Sequence, residues 1–187
     1  MDFKQLLTER RSIRDYEDRE VPLPLLEEML HDTRLAPTAS NGQPCRFILV
    51  RDRERLKQLS AESKASLLDD LARNPELPLK KYEAALRDER FNVFYNAPCL
   101  VLIVGPEELY SLEVDCALTA AYFMLSATAR GLGTCWIGLG AHIRSQKTLR
   151  EIGVPFGYRI VAPIVVGYPV SIPAASERHA PEILKIL

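Results

Sequence analysis

Apolar residues recur at helical spacing over residues 2 to 10, where Phe3, Leu6 and Leu7 share one side and predict a short first helix. Val21-Pro22-Leu23-Pro24 leads into a second helix, with Leu25, Leu26, Met29 and Leu30 on one face and an end before Pro37. Ala36 to Pro44 holds prolines, a glycine and small polar residues, which predicts a loop whose backbone can approach a ligand. Cys45 to Val50 reads as a first buried strand, and Asp52 opens a long charged helix through Leu71 with Leu56, Leu59 and Leu67 inside. Residues 73 to 92 are the least regular; Asn74-Pro75 and Leu77-Pro78 punctuate a polar helix of both charge signs, expected to be a solvated excursion or lid. Cys99 to Val104 is a continuous apolar run closed by Gly105-Pro106, the pattern of a central strand buried on both faces. From Leu112 to Arg130 the chain is apolar nearly all round, a helix around which other elements should pack, ending at Gly131. A short Gly-bounded strand or loop (132 to 139), a short helix (145 to 152) and another buried strand (160 to 166) follow. The tail from Tyr168 to Leu187 carries three prolines and little core of its own, so it is expected to lie on its own domain or on a partner subunit.

Two helices precede the first strand, which excludes a regular βαβ repeat and favours an α+β sandwich over a Rossmann domain. A chain of 187 residues is most simply one domain, able to bury about 70% of its unfolded surface without a disulfide or metal. The balance of 24 basic and 25 acidic residues leaves a net charge of −1 and no global field for nucleic acid or an anionic membrane. No apolar run approaches the ~20 residues of a membrane span, and Met1-Asp2-Phe3-Lys4 shows no signal pattern, so a cytoplasmic location is expected. Cys45, Cys99, Cys116 and Cys135 lack zinc-ligand spacing, and all but Cys116 lie in or beside apolar runs, as free thiols do in a reducing compartment.

Common catalytic signatures are absent. Gly131-Leu-Gly133-Thr-Cys-Trp136 lacks the third glycine of a dinucleotide fingerprint, and there is neither a phosphate loop nor a Gly-x-Ser-x-Gly elbow. His31, His142 and His179 are far apart among polar neighbours, and the carboxylate pairs 27–28, 69–70 and 107–108 are adjacent, which on a helix points them apart. No protein residue is assigned as catalytic. The chemistry that remains is in Arg10-Arg11-Ser12-Ile13-Arg14, where three guanidinium groups and a hydroxyl can grip phosphate oxygens. Such residues also complement the negative end of the first helix. Together with the amides of Asn41 and Gln43, the Thr-Cys-Trp-Ile segment and an isolated Arg178, they describe a site for a flat heterocycle with a phosphate tail.

With these motifs in register, the chain resembles the nitroreductase family of FMN-dependent oxidoreductases over nearly its whole length. The motifs are Arg-Arg-Ser-Ile-Arg-Asp-Tyr (10 to 16), Ala-Pro-Thr-Ala-Ser-Asn-Gly-Gln-Pro (36 to 44), Ala-Pro-Cys-Leu-Val-Leu-Ile-Val (97 to 104) and Gly-Leu-Gly-Thr-Cys-Trp-Ile-Gly (131 to 138), with a weaker Gly-Tyr-Pro (167 to 169) before Arg178. The resemblance implies a three-layer α+β sandwich with a central mixed sheet. It also implies an intertwined homodimer, with FMN at the interface and residues 168 to 187 wrapping the partner subunit. Arg10, Arg11, Ser12 and Arg14 would hold the phosphate and ribityl chain, and Arg178 would close over the phosphate. Pro37, Thr38, Ala39, Asn41 and Gln43 would reach the flavin from the other subunit. Cys135, Trp136, Ile137 and Gly138 would line the isoalloxazine, the Ile137 N–H lying near N5. The flavin then carries the redox chemistry, by a ping-pong cycle between NAD(P)H and a small acceptor such as a nitroaromatic or quinone. The alternatives are a flavin-binding protein for storage, delivery or breakdown of FMN, and a domain without the cofactor. Where many relatives carry an acidic residue this chain has Ile137, and where an asparagine is frequent it has Tyr122.

Overall fold

The computed structural model describes residues 2 to 187. Strand β2 (Cys99–Pro106) is its centre, and its side chains alternate between two cores as the pleat demands. Leu100, Leu102 and Val104 face one core, filled by Leu56, Leu59, Leu67 and Leu71 of α3 (Arg53–Arg73) and by Leu86 of α4 (Glu83–Arg87). Cys99, Val101 and Ile103 face the other, filled by Leu26 and Met29 of α2 (Leu23–Thr33) and by Leu112, Cys116, Ala120, Phe123 and Ala127 of α5 (Leu112–Ala129). Each fully buried Leu contributes about 1.5 to 3 kcal/mol. The two cores on either face of one sheet make the expected three-layer sandwich.

β1 (Arg46–Val50), β3 (Gly133–Trp136) and β4 (Tyr158–Gly167) complete a four-stranded sheet of order β1-β2-β4-β3, with α6 (Gln146–Glu151) between β3 and β4. All three pairings are antiparallel. The mixed sheet expected from the sequence is thus reduced to one parallel bridge, Ser12 to Thr134, beyond the β3 edge. The long α3–α4 connection leaves and re-enters at the same end of the sheet, so β1 and β2 run in opposite directions.

α1 (Phe3–Glu9) begins in a capping box between Asp2 and Gln5. The segment expected as a solvated excursion forms a 3-10 turn (Pro78–Tyr82) and α4, and it is held to α3 at its end. The Lys64 ammonium donates to the Asp88 and Phe91 carbonyls at 2.7 and 3.0 Å, and Val93 N–H donates to Ser60 Oγ at 3.0 Å. α5 departs from expectation on one side. Its inner face is buried, while Val114, Leu118 and Tyr122 lie open along the outer face, with Ala117 exposed beside them. Residues 170 to 187 have no regular structure and are exposed throughout, including Ile172, Ile183, Leu184, Ile186 and Leu187.

Candidate functional site

Arg10 to Arg14 leave the end of α1 and run beside β3. The Ile13 N–H donates to the Thr134 carbonyl at 2.9 Å, and the Ile13 side chain is buried. This close approach requires Gly133, because a Cβ there would lie 2.5 Å from Ile13 Cγ1 and 2.8 Å from Ile13 Cβ. In an extended segment the neighbours of Ile13 face the other way, which puts Ser12 and Arg14 on one side. Cys135 lies on that side. Burial pushes its thiol up, while the Arg14 guanidinium, the Ser12 hydroxyl and the Arg10 guanidinium pull it down. Arg14 also sits over the Tyr95 ring, 5.8 Å from its centroid. The Tyr16 phenol donates to the Ile13 carbonyl at 2.7 Å, and burial holds it far above its ordinary value, reinforced by Cys135 and opposed by Arg14.

Arg11 turns back on the protein. Its guanidinium donates to the Thr8 and Arg10 carbonyls at 2.6 and 2.8 Å, and its Nε is buried without a partner. Thr134 Oγ1 is the other buried side-chain atom without a partner among the described residues. Arg10, Arg11 and Arg14 form no ion pair with any carboxylate among the described residues. Three permanent charges and two orphaned polar atoms at one sheet edge match the needs of an oxygen-rich anion.

Pro37 to Gln43 lie elsewhere. Ser40, Asn41 and Gln43 all hold the left-handed conformation, with φ of 48°, 54° and 46°, an uncommon run for non-glycine residues that the surroundings must enforce. Asp115 supplies the anchor. It is buried in the first turn of α5, accepts the Ala39 N–H at 2.9 Å and the Ser111 hydroxyl at 2.8 Å, and fixes the loop at β1. Gln43 N–H donates to Thr38 Oγ1 at 3.1 Å and Gln43 Nε2 to Asn41 Oδ1 at 3.1 Å, so the amides brace each other at the surface.

The structure therefore brings Arg10, Ser12, Arg14 and Cys135 together, with Arg11 behind them, but not the loop. β1 and the Ser12 bridge are separated by four strand spacings, roughly 19 Å, and they lie at opposite ends of the strands, since Arg46 is level with Val104 and Thr134 with Val166 opposite Cys99. Arg178 is exposed in the tail. Cys135 and Ile137 are buried, Trp136 is half-buried and Gly138 is exposed. The Ile137 N–H already donates to the Pro163 carbonyl at 2.8 Å. The N5 contact expected of it would have to share that hydrogen.

The sequence model of the Nitroreductase family matches residues 7 to 168. The chain belongs to the nitroreductase family. A provisionally named NADH dehydrogenase/NAD(P)H nitroreductase of Archaeoglobus fulgidus is 30% identical over 171 residues, covering 88% of this chain and 84% of that one. An FMN-bound nitroreductase from Bacteroides fragilis superposes with a TM-score of 0.82 at 20% identity, over 100% and 99% of the two chains. An FMN-dependent nitroreductase from Clostridium difficile is 28% identical with a TM-score of 0.69, over 94% and 92%.

Within this nitroreductase fold, the sequence motifs included Thr134 and Tyr16 without giving either a role of its own, and did not reach Asp115 or Tyr95. Thr134 stood inside the Gly-Leu-Gly-Thr-Cys-Trp motif, and its place between Gly133 and buried Cys135 marks a strand position facing the N-terminal segment. Asp115 was legible as one of two carboxylates, with Glu113, in the first turn of an apolar helix, where a buried charge requires donors. Tyr95 carried no sequence signal, because its placement depends on the left-handed pair Tyr95-Asn96, with φ of 53° at each.

Proposed function

We propose that the protein is an FMN-dependent NAD(P)H oxidoreductase whose site is shared between two copies of the chain. The observation that carries this is the set of guanidinium groups on the β3 edge with no carboxylate partner and a buried, unpartnered Arg11 Nε. Structures of the same fold that carry bound FMN support FMN as the identity of the anion. When bound, the flavin supplies two-electron chemistry, taking hydride from NAD(P)H and giving it to a small aromatic acceptor in alternation.

The chain's own residues bind and orient. Arg10 and Arg14 neutralise a phosphate on the open side of the segment, and Ser12 adds a short donor for the phosphate or ribityl oxygens. The Trp136 side chain packs on the opposite face of the sheet from Cys135, so on this side the backbone running from Trp136 to exposed Gly138 offers the edge for a planar ring. The rest of the enclosure, from Pro37, Thr38, Ala39, Asn41 and Gln43, is too distant within one chain and is provided by the partner subunit. α5 explains how. Its 18 residues span about 27 Å, with the loop anchor Asp115 at one end and Thr128, which lines a cavity with Arg11, at the other. A two-fold axis across the middle of the open Val114–Leu118–Tyr122 face sets the loop end of one copy beside the arginine end of the other. The exposed apolar tail residues then have a second subunit to lie on, with Arg178 carried across it.

FMN titration followed by NAD(P)H oxidation with menadione or nitrofurazone tests the function. Saturable flavin binding and acceptor-dependent turnover are expected. Bound flavin that is not reduced by either nicotinamide would favour storage or delivery, and no flavin uptake would defeat the proposal.

A further inference from the structure

Cys45 and Cys116, 71 positions apart in sequence, hold their sulfurs 3.5 Å from each other, and the Thr119 hydroxyl lies 3.4 Å from Cys45 Sγ. Cys116 is fully buried in α5. Cys45 is half-buried and lines a cavity of about 180 Å³ together with Thr33, Ala36, Gln43 and Arg46. A small oxidant fits there, given roughly 30 Å³ for a water molecule. The remaining approach to bonding distance is roughly 1.5 Å, within reach of side-chain adjustment. We propose that Cys45 and Cys116 form a reversible dithiol/disulfide site, oxidised by hydroperoxides, that fastens the 37–44 loop to α5.

The electrostatics divide the roles. The Cys116 S–H and the Thr119 hydroxyl stabilise a thiolate at Cys45, bringing it down to about 7 against burial and the Asp115 carboxylate, with Arg46 assisting. Cys116 is pushed far up, first by its bond to Cys45, then by burial and by the Cys45 and Asp115 charges, with Arg159 opposing. Cys45, whose side chain lines the cavity, is the attacking sulfur, and the fully buried Cys116 is the resolving one. The Cys45 thiolate attacks one oxygen of the hydroperoxide, the O–O bond breaks, and the other oxygen leaves as alcohol or water after taking a proton. The resulting sulfenic acid is neutral, which removes the thiolate charge that had held Cys116 protonated. Cys116 sulfur then attacks Cys45 sulfur, its proton leaves with the hydroxide as water, and the two thiols have given two electrons to the peroxide. Dithiol reductants reverse the step by exchange. The device stands on residues 45 and 116 alone and does not depend on the flavin.

The reduced protein is exposed to a small excess of hydrogen peroxide, quenched under denaturing conditions with N-ethylmaleimide, digested and mapped by mass spectrometry. A Cys45–Cys116 linked peptide is expected, with Cys99 and Cys135 alkylated and the link lost on dithiothreitol treatment. Hydrogen exchange across residues 38 to 44 should slow at least twofold in the oxidised form. Cys45→Ser should abolish the link while keeping the fold, and Cys116→Ser should leave Cys45 to proceed to sulfinic acid. Peroxide treatment that leaves all four thiols alkylatable, or that takes Cys45 to sulfinic acid in the parent with Cys116 free, overturns the site. Unchanged exchange in the linked protein overturns the fastening role.

Discussion

The two edges of the sheet present opposite solutions to holding polar groups for a ligand. At the β3 edge the arginine segment is locked by a backbone bridge, a buried Ile13 and a glycine cut to receive it, with the charges left without counterions. At the β1 edge the 37–44 loop is exposed, strained into left-handed backbone, and tied down at Asp115 and Cys45. One edge stores uncompensated charge and the other stores backbone strain. Neither encloses a ligand by itself, and under the function proposed above each would complete a site by meeting its opposite in a second copy.

The most disruptive change is to the surface that would join the copies. Leu118→Asp places a charge twice across a two-fold apolar contact, and an association weakened by about 4 kcal/mol or more is expected, read as monomer by light scattering, with flavin affinity lost alongside. A variant as associated as its parent would detach α5 from the comparison. Arg10→Ala removes one phosphate donor and should weaken FMN binding by about 1.5 to 3 kcal/mol, the scale of a charge-assisted hydrogen bond, measured by fluorimetric titration. Gly133→Ala drives a methyl into Ile13 and should cost about 1 to 3 kcal/mol by overpacking, seen as a lower denaturation midpoint, while an equivalent alanine at Gly138, where nothing lies within 4 Å, should leave stability nearly unchanged.

The smallest effect lies away from both edges. The Arg144 guanidinium grips Asp70 at 2.6 and 2.8 Å and holds its carboxyl below the usual range, tying α3 to the segment before α6. Because the folded value is lowered, this stability is fully present above about pH 4 and disappears as pH falls through the lowered value. Both groups are partly solvated, so Asp70→Asn should cost at most about 1 kcal/mol at neutral pH and nothing in strong acid, by denaturant titration at two pH values.

Local pattern made much of this legible. The inner leucines of α3, the buried run from Cys99 to Val104 in β2 and the stop at Gly131 follow from periodicity and cap chemistry, and the motif residues could be named because they occur in contiguous runs. What pattern could not reach was pairing between distant segments. That Ser12 bridges Thr134, that β4 inserts between β2 and β3, and that Cys45 meets Cys116 depend on sequence separations over which no period runs. For the same reason the cysteines read as isolated thiols. The helical apolarity of α5 was visible, yet periodicity cannot say whether an apolar face meets its own domain or a second chain, and half of that face proved open.

The shared site is tested most directly by mixed dimers in which one subunit carries Arg10→Ala with Arg11→Ala and the other Asn41→Ala with Gln43→Ala. Each variant alone should bind FMN weakly. In the mixed dimer both defects fall in one site and the other is intact, so one flavin per dimer at parental affinity is expected. A mixed dimer that binds no better than either parent variant would contradict a site divided between two chains.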